Sequence, residues 1–405
     1  MGTVSQLYER VRPPAHRVQS EEEALDIARS FAAAFAQQAS DRDINRILPY
    51  DEAEALSQSG LLGISVPSEN GGIDISNSVL AEVIAILAEA DPSIAQILQT
   101  HFHVLEAVRI GGGEDQRASL FDRAITGDRF GSIFSEAGAS GGDQHSWHLT
   151  SDGAGFRLNG RSRPSASILF SDWIALFAAD KRQGSIAAVV PRNAEGIQII
   201  DDWDGFGQRT SGNGTVILHN VYLDADTLLV DREKLAEPTV IDCVNQLTHA
   251  GINLGIARSA LAATMEFVRA RSHPRESDGD EQAVNDPLIV TRIGEIAVRI
   301  EAATATMERA GGKIDAAQIN LTEDHVIDAA LSVAAAQTIT ADIAMEAADT
   351  LFELAGTASA GIGLNLDRHW RNARIHTLHE PARQKYHIVG NYHLNGVKPL
   401  KSWLP

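Results

Sequence analysis

The run HTLHEP, residues 376–381, holds the side chains of this chain that are best suited to chemistry. His376 and His379 are three residues apart, so one continuous helix would present both imidazoles on one face, as a metal site requires. Pro381 argues against a continuous helix, because it disfavours helical backbone at Glu380 and suits the first turn of a new helix. We therefore expect His379 on a loop, away from the face of His376, and no metal site. A structural and a catalytic role both remain open, and we favour catalysis.

Three further stretches carry groups that could bind a substrate or a cofactor. His101 and His103 are two apart on a predicted helix, so at most one of them can face a pocket. The run SEAGASGGD, which begins at Ser135, offers hydroxyl and backbone N–H groups to a phosphate or a ring edge, although a plain turn has the same composition. Arg271 belongs to an arginine cluster after a predicted long helix, and such a group suits either a phosphate or a solvated helix end.

The composition narrows the class of protein. A chain of 405 residues with 44% apolar residues is long enough for two or three domains with full cores. Its net charge of −20 argues against a nucleic-acid partner, because phosphate binding needs a basic face. The only cysteine, Cys243, excludes a disulfide framework and fits a reducing compartment. Residues 1–17 lack the apolar core of a signal peptide, so we expect a cytoplasmic protein that does not contact membranes.

Three blocks that differ in composition and hydrophobic pattern follow one another along the chain. The first is helical in pattern and ends near residue 128. The second contains short apolar runs such as WIALFAAD and SIAAVVP, which predict a small β-barrel or sandwich, and Asn159-Gly160 predicts a hairpin turn within it. The third is Ala-rich and helical, as is typical of a packed bundle. We expect a mainly α fold with a central β domain, divided into residues 18–128, 129–233 and 234–405.

This order of domains, together with several motifs, resembles the acyl-CoA dehydrogenase superfamily over nearly the whole chain. FSEAGASGGD (134–143) and WDGFGQRTSGNGTVILHNVYL (203–223) occupy the places of that superfamily's flavin-contacting segments. Within it, the chain is similar to the flavin monooxygenase branch, which includes dibenzothiophene monooxygenase and the sulfur-acquisition oxidoreductases. The specific marks are GFGQRTSGNGT and the tail DRHWRNARIHTLHEPARQKYHIVGNYHLNG (367–396).

The resemblance implies a fold, an activity and partners. The fold is an N-terminal helical domain, a β-barrel and a C-terminal four-helix bundle in a homotetramer. The activity is oxygenation of a small organosulfur compound by O₂ through a flavin C4a-hydroperoxide, with FMN supplied in reduced form by a separate reductase, or with FAD. The first alternative is an FAD-dependent acyl-CoA dehydrogenase or oxidase, for which we find no convincing carboxylate base. The second is a non-catalytic protein that kept the fold.

The resemblance also implies site residues. His379 takes the position of the dehydrogenases' catalytic glutamate, and an imidazole N–H can hold an oxygen intermediate and donate a proton to it. Ala166 stands where the branch carries a hydroxyl, so we take Ser165 as the catalytic hydroxyl, with Ser167 as the other neighbour. His101 would line the substrate cavity. The expected cofactor-binding residues are Ser135, Arg271, Trp203, Thr215, Arg371 and Asn372.

Overall fold

The first block of the chain folds into five helices. The computed structural model describes residues 13–134, 147–180, 184–229, 239–271, 283–379 and 382–399. The helices are α1 (Glu21–Asn45), α2 (Tyr50–Gln58), α3 (Asn77–Ala90), α4 (Pro92–Gly111) and α5 (Glu114–Ile125). Ser20 caps α1 by accepting a hydrogen bond from the N–H of Glu23, within an acidic first turn. Asp91 caps α4 in the same way, and Pro92 occupies its first position.

The middle block forms two small sheets. The strands are β1 (Phe130–Phe134), β2 (His148–Asp152), β3 (Gly155–Arg161), β4 (Trp173–Asp180), β5 (Gly184–Pro191), β6 (Ile197–Ile200) and β7 (Thr215–Leu223). One sheet has the order β1-β4-β5, and the other has the order β2-β3-β7-β6. Apolar residues from both sheets, such as Leu176 and Val216, belong to one buried cluster. The two sheets therefore share a core, as in a sandwich or barrel.

The predicted hairpin turn at Asn159-Gly160 is wrong. These residues lie inside β3, where the pairing with β7 shifts register between Leu158 and Gly160. The side chain of Asn159 accepts a hydrogen bond from the backbone N–H of Asn220 instead of closing a turn. The hairpin between β2 and β3 turns at Gly153, whose φ of +62° only glycine adopts readily. An Asn-Gly pair serves a β-bulge as well as a turn, so the sequence cue was ambiguous.

The last block is a bundle of long helices. They are α6 (Ile241–Arg271), α7 (Pro287–Ile319), α8 (Glu323–Ala355), α9 (Asp367–His376) and α10 (Ala382–Asn395). Among the described residues, Glu323–Ala360 is the stretch long and apolar enough to cross a membrane, but 67% of its most apolar window is buried in the protein. Such burial is typical of a core helix in a soluble enzyme fold. We propose domain boundaries at 128/129, between α5 and β1, and at 233/234, which lies outside the described residues.

Helix contacts bring distant parts of the chain to one place. α4 packs against α6 and against β1, while α9 packs against both α6 and α8. Residues 377–379, which follow α9, therefore lie close to α6 and α4. This junction gathers the polar side chains described next.

Candidate active site

His376 and His379 lie at the end of α9 and in the loop that follows. α9 ends at His376 and α10 begins at Ala382, so His379 is on a loop as predicted. The expected separation of the two rings is wrong, because their centroids are 5.5 Å apart. The chain turns back on itself after α9, and the backbone N–H of His379 donates to the carbonyl of His376 at 3.2 Å. A helix break therefore does not separate two side chains when the following turn folds over the helix end.

A third histidine completes what we call the histidine array: His249, His376 and His379. His249, on α6, has its ring centroid 5.0 Å from that of His376 and 5.6 Å from that of His379. Gln208 Nε2 donates to His376 Nδ1 at 3.1 Å, and His376 Nε2 is 3.2 Å from His249 Nδ1. Gln96 Nε2, on α4, lies 3.4 Å from Nε2 of His379. The array thus connects the β domain with three helices of the two helical blocks.

Burial keeps the inner members of the array uncharged. Burial, with a smaller contribution from the neighbouring His379, lowers the pKa of His376 to about 3. Burial, followed by the proximity of His376, also lowers the pKa of His249 well below its usual 6.5. Two neutral imidazoles in contact can act as hydrogen-bond donors and acceptors at physiological pH. Within the described ranges, no group of three or more His, Cys, Asp or Glu side chains could hold a metal ion.

Gln208 links the histidine array to Trp203 and Asn372. The indole N–H of Trp203 donates to the Gln208 carbonyl at 3.1 Å, and the Gln208 N–H donates to Oδ1 of Asn372 at 2.7 Å. These bonds hold Gln208 at a φ of +44°, which is unusual for a residue with a side chain. Gly207 permits the close approach, since a Cβ there would lie 2.1 Å from the Arg371 carbonyl oxygen. Trp203 and Asn372 therefore position Gln208, which in turn positions His376.

Two other expected cofactor residues have structural contacts. Arg371 donates to Asp43 at 2.6 Å and to Asp367 at 2.7 Å, and it also bonds the carbonyl of Phe206. It therefore ties α9 to α1 and to the segment before Gln208. Thr215 is the buried first residue of β7, and its N–H donates to Asp202. The Arg371 side chain therefore has a role in the scaffold, whereas the contact of Thr215 is made by its backbone N–H.

The serines around Ala166 differ in their hydroxyl groups. The Ser165 hydroxyl donates locally to the carbonyl of Arg163, and its backbone pairs with Gly214. Ser167 is 3% exposed, has a φ of +53° and carries a buried hydroxyl oxygen that has no hydrogen-bond partner in the described part of the chain. A buried hydroxyl without a partner has the capacity to bind a ligand. Ser167 is therefore a better candidate than Ser165 for the hydroxyl that position 166 lacks.

The structure assigns His101 to the core rather than to the site. Its Nε2 donates to the carbonyl of Leu62 at 2.8 Å, and its Nδ1 accepts from the N–H of Phe130 at 3.2 Å. Both nitrogens are used and the side chain is fully buried, so it cannot reach a substrate. His103 stacks on Phe134, with ring centroids 5.7 Å apart. Of the remaining expected residues, Ser135 and the side chain of Arg271 lie outside the described residues.

Sequence reasoning overlooked three residues of this site: Gln96, Gln208 and His249. Gln208 lies inside the quoted GFGQRTSGNGT motif, so the resemblance contained a signal for it. His249 is a lone histidine in the run NQLTHAGIN of α6, and no local pattern marks it. Only the packing of α6 against α9 brings it next to His376.

Comparison with protein families agrees with this architecture. Residues 19–128 match the model of the acyl-CoA dehydrogenase N-terminal domain, and residues 247–384 match that of the acyl-CoA dehydrogenase C-terminal domain. Both helical blocks are thus accounted for, on either side of the β domain. The chain belongs to the acyl-CoA dehydrogenase superfamily, and it is a flavin-dependent oxidoreductase.

Individual relatives place it more closely, among the monooxygenases of that superfamily. A probable FMNH2-dependent monooxygenase of Pseudomonas putida, SfnC, is 29% identical over 94% of this chain and 97% of its own length. Dibenzothiophene monooxygenase of Mycolicibacterium goodii is 28% identical over 93% of this chain and 94% of its own. The crystal structure of TdsC from a Paenibacillus species with FMN and indole superposes with a TM-score of 0.88, at 27% identity over 95% of this chain and all of that one.

Proposed function

We propose that this enzyme is an FMNH2-dependent monooxygenase that transfers one oxygen atom to a small organosulfur compound. The observation that carries the proposal is the histidine array, with His379 on an exposed loop beside Gln96 and the buried pair His249 and His376 behind it. An α,β-dehydrogenation needs a carboxylate base, whereas an imidazole N–H suits a step that holds and protonates oxygen. The named activities of the relatives support the same reaction class and the organosulfur substrate.

The described residues fit a flavin ring. Gln208 Oε1 and Gln96 Oε1 are both buried, and neither accepts a hydrogen bond in the part of the chain that the structure describes. A buried carbonyl without a partner costs about 1–3 kcal/mol, so a ligand with N–H groups would relieve the cost. A flavin ring carries such groups on an otherwise planar apolar body. Gln208, Gln96 and the hydroxyl of Ser167 would hold it, with the backbone around Gln208 fixed by Trp203.

The enzyme's own residues would divide the work of the reaction. Reduced FMN, when bound, supplies the electrons with which O₂ is activated. His379 would donate a hydrogen bond to the reacting oxygen and then a proton to the oxygen that leaves as water. Gln96 orients its ring from α4, while His376 and His249 form a buried, neutral backing that adds no competing charge.

Several partners follow from this reaction. A separate flavin reductase would supply FMNH2, and O₂ would be the second substrate. We also propose a homotetramer, with the Ala-rich helices α6 to α8 contributing contacts between subunits, and a cytoplasmic location, where reduced flavin is available. FAD is the alternative cofactor, and a titration of the purified protein with each flavin would decide between them.

The decisive experiment follows oxygen into the product. Purified enzyme, FMN, a flavin reductase with its nicotinamide donor and dibenzothiophene are incubated under isotopically labelled O₂, and the product is analysed by mass spectrometry. We expect a sulfoxide with one labelled oxygen. His219→Ala, at an exposed histidine on β7, is the matched control and should retain this activity. If neither dibenzothiophene nor simpler sulfides and sulfinates take up labelled oxygen, the proposed function is refuted.

A further inference from the structure

A small cavity lies behind the histidine array, between α6, α8 and the loop after α9. Its volume is about 10 Å³, and it is lined by His249, Asn253, Gln337, His376 and His379, among others. Asn253 follows His249 by one turn of α6, so the two side chains share a face. A polar cavity of this size has room for one water molecule.

Two amides in this cavity carry buried oxygens that have no hydrogen-bond partner among the described residues. Asn253 is 2% exposed and Gln337 is 7% exposed. Oδ1 of Asn253 and Oε1 of Gln337 are both buried, and neither accepts a hydrogen bond from any described residue. Turning either amide would bring its NH₂ group to the same place and leave that group without an acceptor instead. Buried amides in native proteins are almost always satisfied, so the cavity requires a small polar occupant.

We propose that this cavity is the site of one ordered water molecule that fixes the proton positions of the histidine array. The water would donate its two hydrogens to Oδ1 of Asn253 and Oε1 of Gln337. It would also accept a hydrogen bond from Nε2–H of His249. Nε2 is the nitrogen of that ring that has no hydrogen bond to a described residue. Three hydrogen bonds are the usual number for a buried water.

The water determines the direction of the whole chain of hydrogen bonds. With its proton on Nε2, His249 must accept at Nδ1 from Nε2–H of His376. His376 must then accept at Nδ1 from the amide N–H of Gln208, and Oε1 of Gln208 remains without a donor. The structure has that orientation of Gln208, with Nε2 toward His376 and Oε1 unpaired. One water molecule therefore accounts for two unpaired amides and for the orientation of a third.

Asn253 and Gln337 are accordingly positioning residues. They would act through the water, His249 and His376 to keep the oxygen of Gln208 available as an acceptor for the cofactor. This catalytic consequence rests on the proposed function, whereas the water site and the fixed tautomers do not. The low pKa values of His376 and His249 are consistent with it, because only a neutral ring has a tautomer to fix.

The first test uses the flavin-free protein. A high-resolution crystal structure should show a water bonded to Asn253, Gln337 and His249. Nitrogen-15 NMR of histidine-labelled protein should show the Nε2–H tautomer for both His249 and His376, with the signals assigned through the His249→Gln and His376→Gln variants. An empty cavity, or a mixture of tautomers in the wild-type protein, overturns the inference whether or not the enzyme proves to be a monooxygenase.

The second test removes one amide without changing the size of the side chain. Gln337→Met should expel the water, mix the tautomers and lower coupled turnover about tenfold, the effect of one lost hydrogen bond in the array. Gln337→Glu keeps acceptor oxygens, so this variant should show the Nε2–H tautomers that Gln337→Met loses. A purely structural role for Gln337 would not predict this difference. Thr340→Val, a buried change on the same helix outside the cavity lining, is the control and should alter none of these signals. If Gln337→Met loses the water but keeps the tautomers and the turnover, the positioning role is refuted.

Discussion

The core around His101 and the loop around His379 use the same side chain in opposite ways. His101 is fully buried on α4, and both of its nitrogens bond backbone groups, the Leu62 carbonyl and the Phe130 N–H. His379 lies on an exposed loop, near the side-chain amide of Gln96 and two other imidazoles. Backbone partners fix one tautomer and leave no capacity for a ligand. Side-chain partners can rotate or exchange protons, so they leave the ring able to react.

Burial and pKa alone do not separate the two regions. Burial lowers the pKa of His101 to about 4, and it lowers that of His376, inside the array, to about 3. Both rings are therefore neutral at physiological pH. The difference lies in what the rings bond, and four substitutions or conditions should make it measurable.

The largest effect should come from His379→Ala. Loss of a positioned proton donor typically costs a factor of about 10²–10⁴ in rate, so labelled oxygen in the product should fall by that order. Oxidation of reduced flavin should continue and release hydrogen peroxide. Because the residue is exposed, the free energy of unfolding should change by less than about 0.5 kcal/mol. Peroxide release per flavin oxidised and urea unfolding measure the two quantities. Unchanged coupling would remove His379 from the mechanism.

His101→Leu should show the reverse pattern. It leaves the Leu62 carbonyl and the Phe130 N–H without partners inside the core, at about 1–3 kcal/mol each. We expect the free energy of unfolding to fall by about 2–4 kcal/mol, measured by urea denaturation. Turnover per folded molecule should stay within about twofold of the wild type, since a factor of two is only a few tenths of a kcal/mol. A large loss of turnover in fully folded protein would return His101 to the site.

Low pH should destabilise the fold through the buried ring of His101. The unfolded chain binds a proton on this histidine below about pH 6.5, whereas the folded chain binds it only near pH 4, so the unfolded state holds more protons between these values. The stability that the neutral His101 contributes is therefore fully present above pH 6.5 and is lost as the pH falls toward 4. The contribution of His101 is about 1.4 kcal/mol per pH unit. Unfolding free energies of the wild type and of His101→Leu across this range should differ in slope by that amount, and parallel slopes would contradict the assignment.

The sequence was sufficient for the order of domains, the helix break before Ala382 and the position of His379 on a loop. Each of these depends on local signals, such as the change from helical to strand periodicity and the constraint that Pro381 places on its neighbour. The array itself could not be predicted in this way. His249 lies 127 residues before His376 along the chain, and only the packing of α6 against α9 brings the two rings together.

Several residues that the sequence suggested for the site also have contacts within the scaffold. His101, Arg371 and Thr215 were selected by residue type and position; the His101 ring bonds the Leu62 carbonyl, Arg371 bonds Asp43, and the backbone N–H of Thr215 bonds Asp202. A polar side chain in a matching segment can serve the cofactor or the fold, and the choice depends on neighbours that are far away in sequence. Trp203 and Asn372 show the intermediate case, since both act on Gln208.

The smallest effect, and the finest test of the comparison, should come from Gln208→Met. This change removes the hydrogen bond to His376, worth about 0.5–1.5 kcal/mol, so coupled turnover should fall about three- to tenfold. It also removes the unpaired buried oxygen, so the flavin-free protein should become more stable by up to about 1 kcal/mol.

That gain should vanish when FMN is bound, because the wild-type oxygen then has a partner and the variant has none. Thermal unfolding with and without FMN measures the difference, and His101→Leu, whose partners do not change on binding, is the matched control. A histidine network that serves a ligand is thus distinguished from one that serves the core by whether its stability depends on that ligand. An equal gain in stability of Gln208→Met with and without FMN would show that Gln208, like His101, has a structural role only.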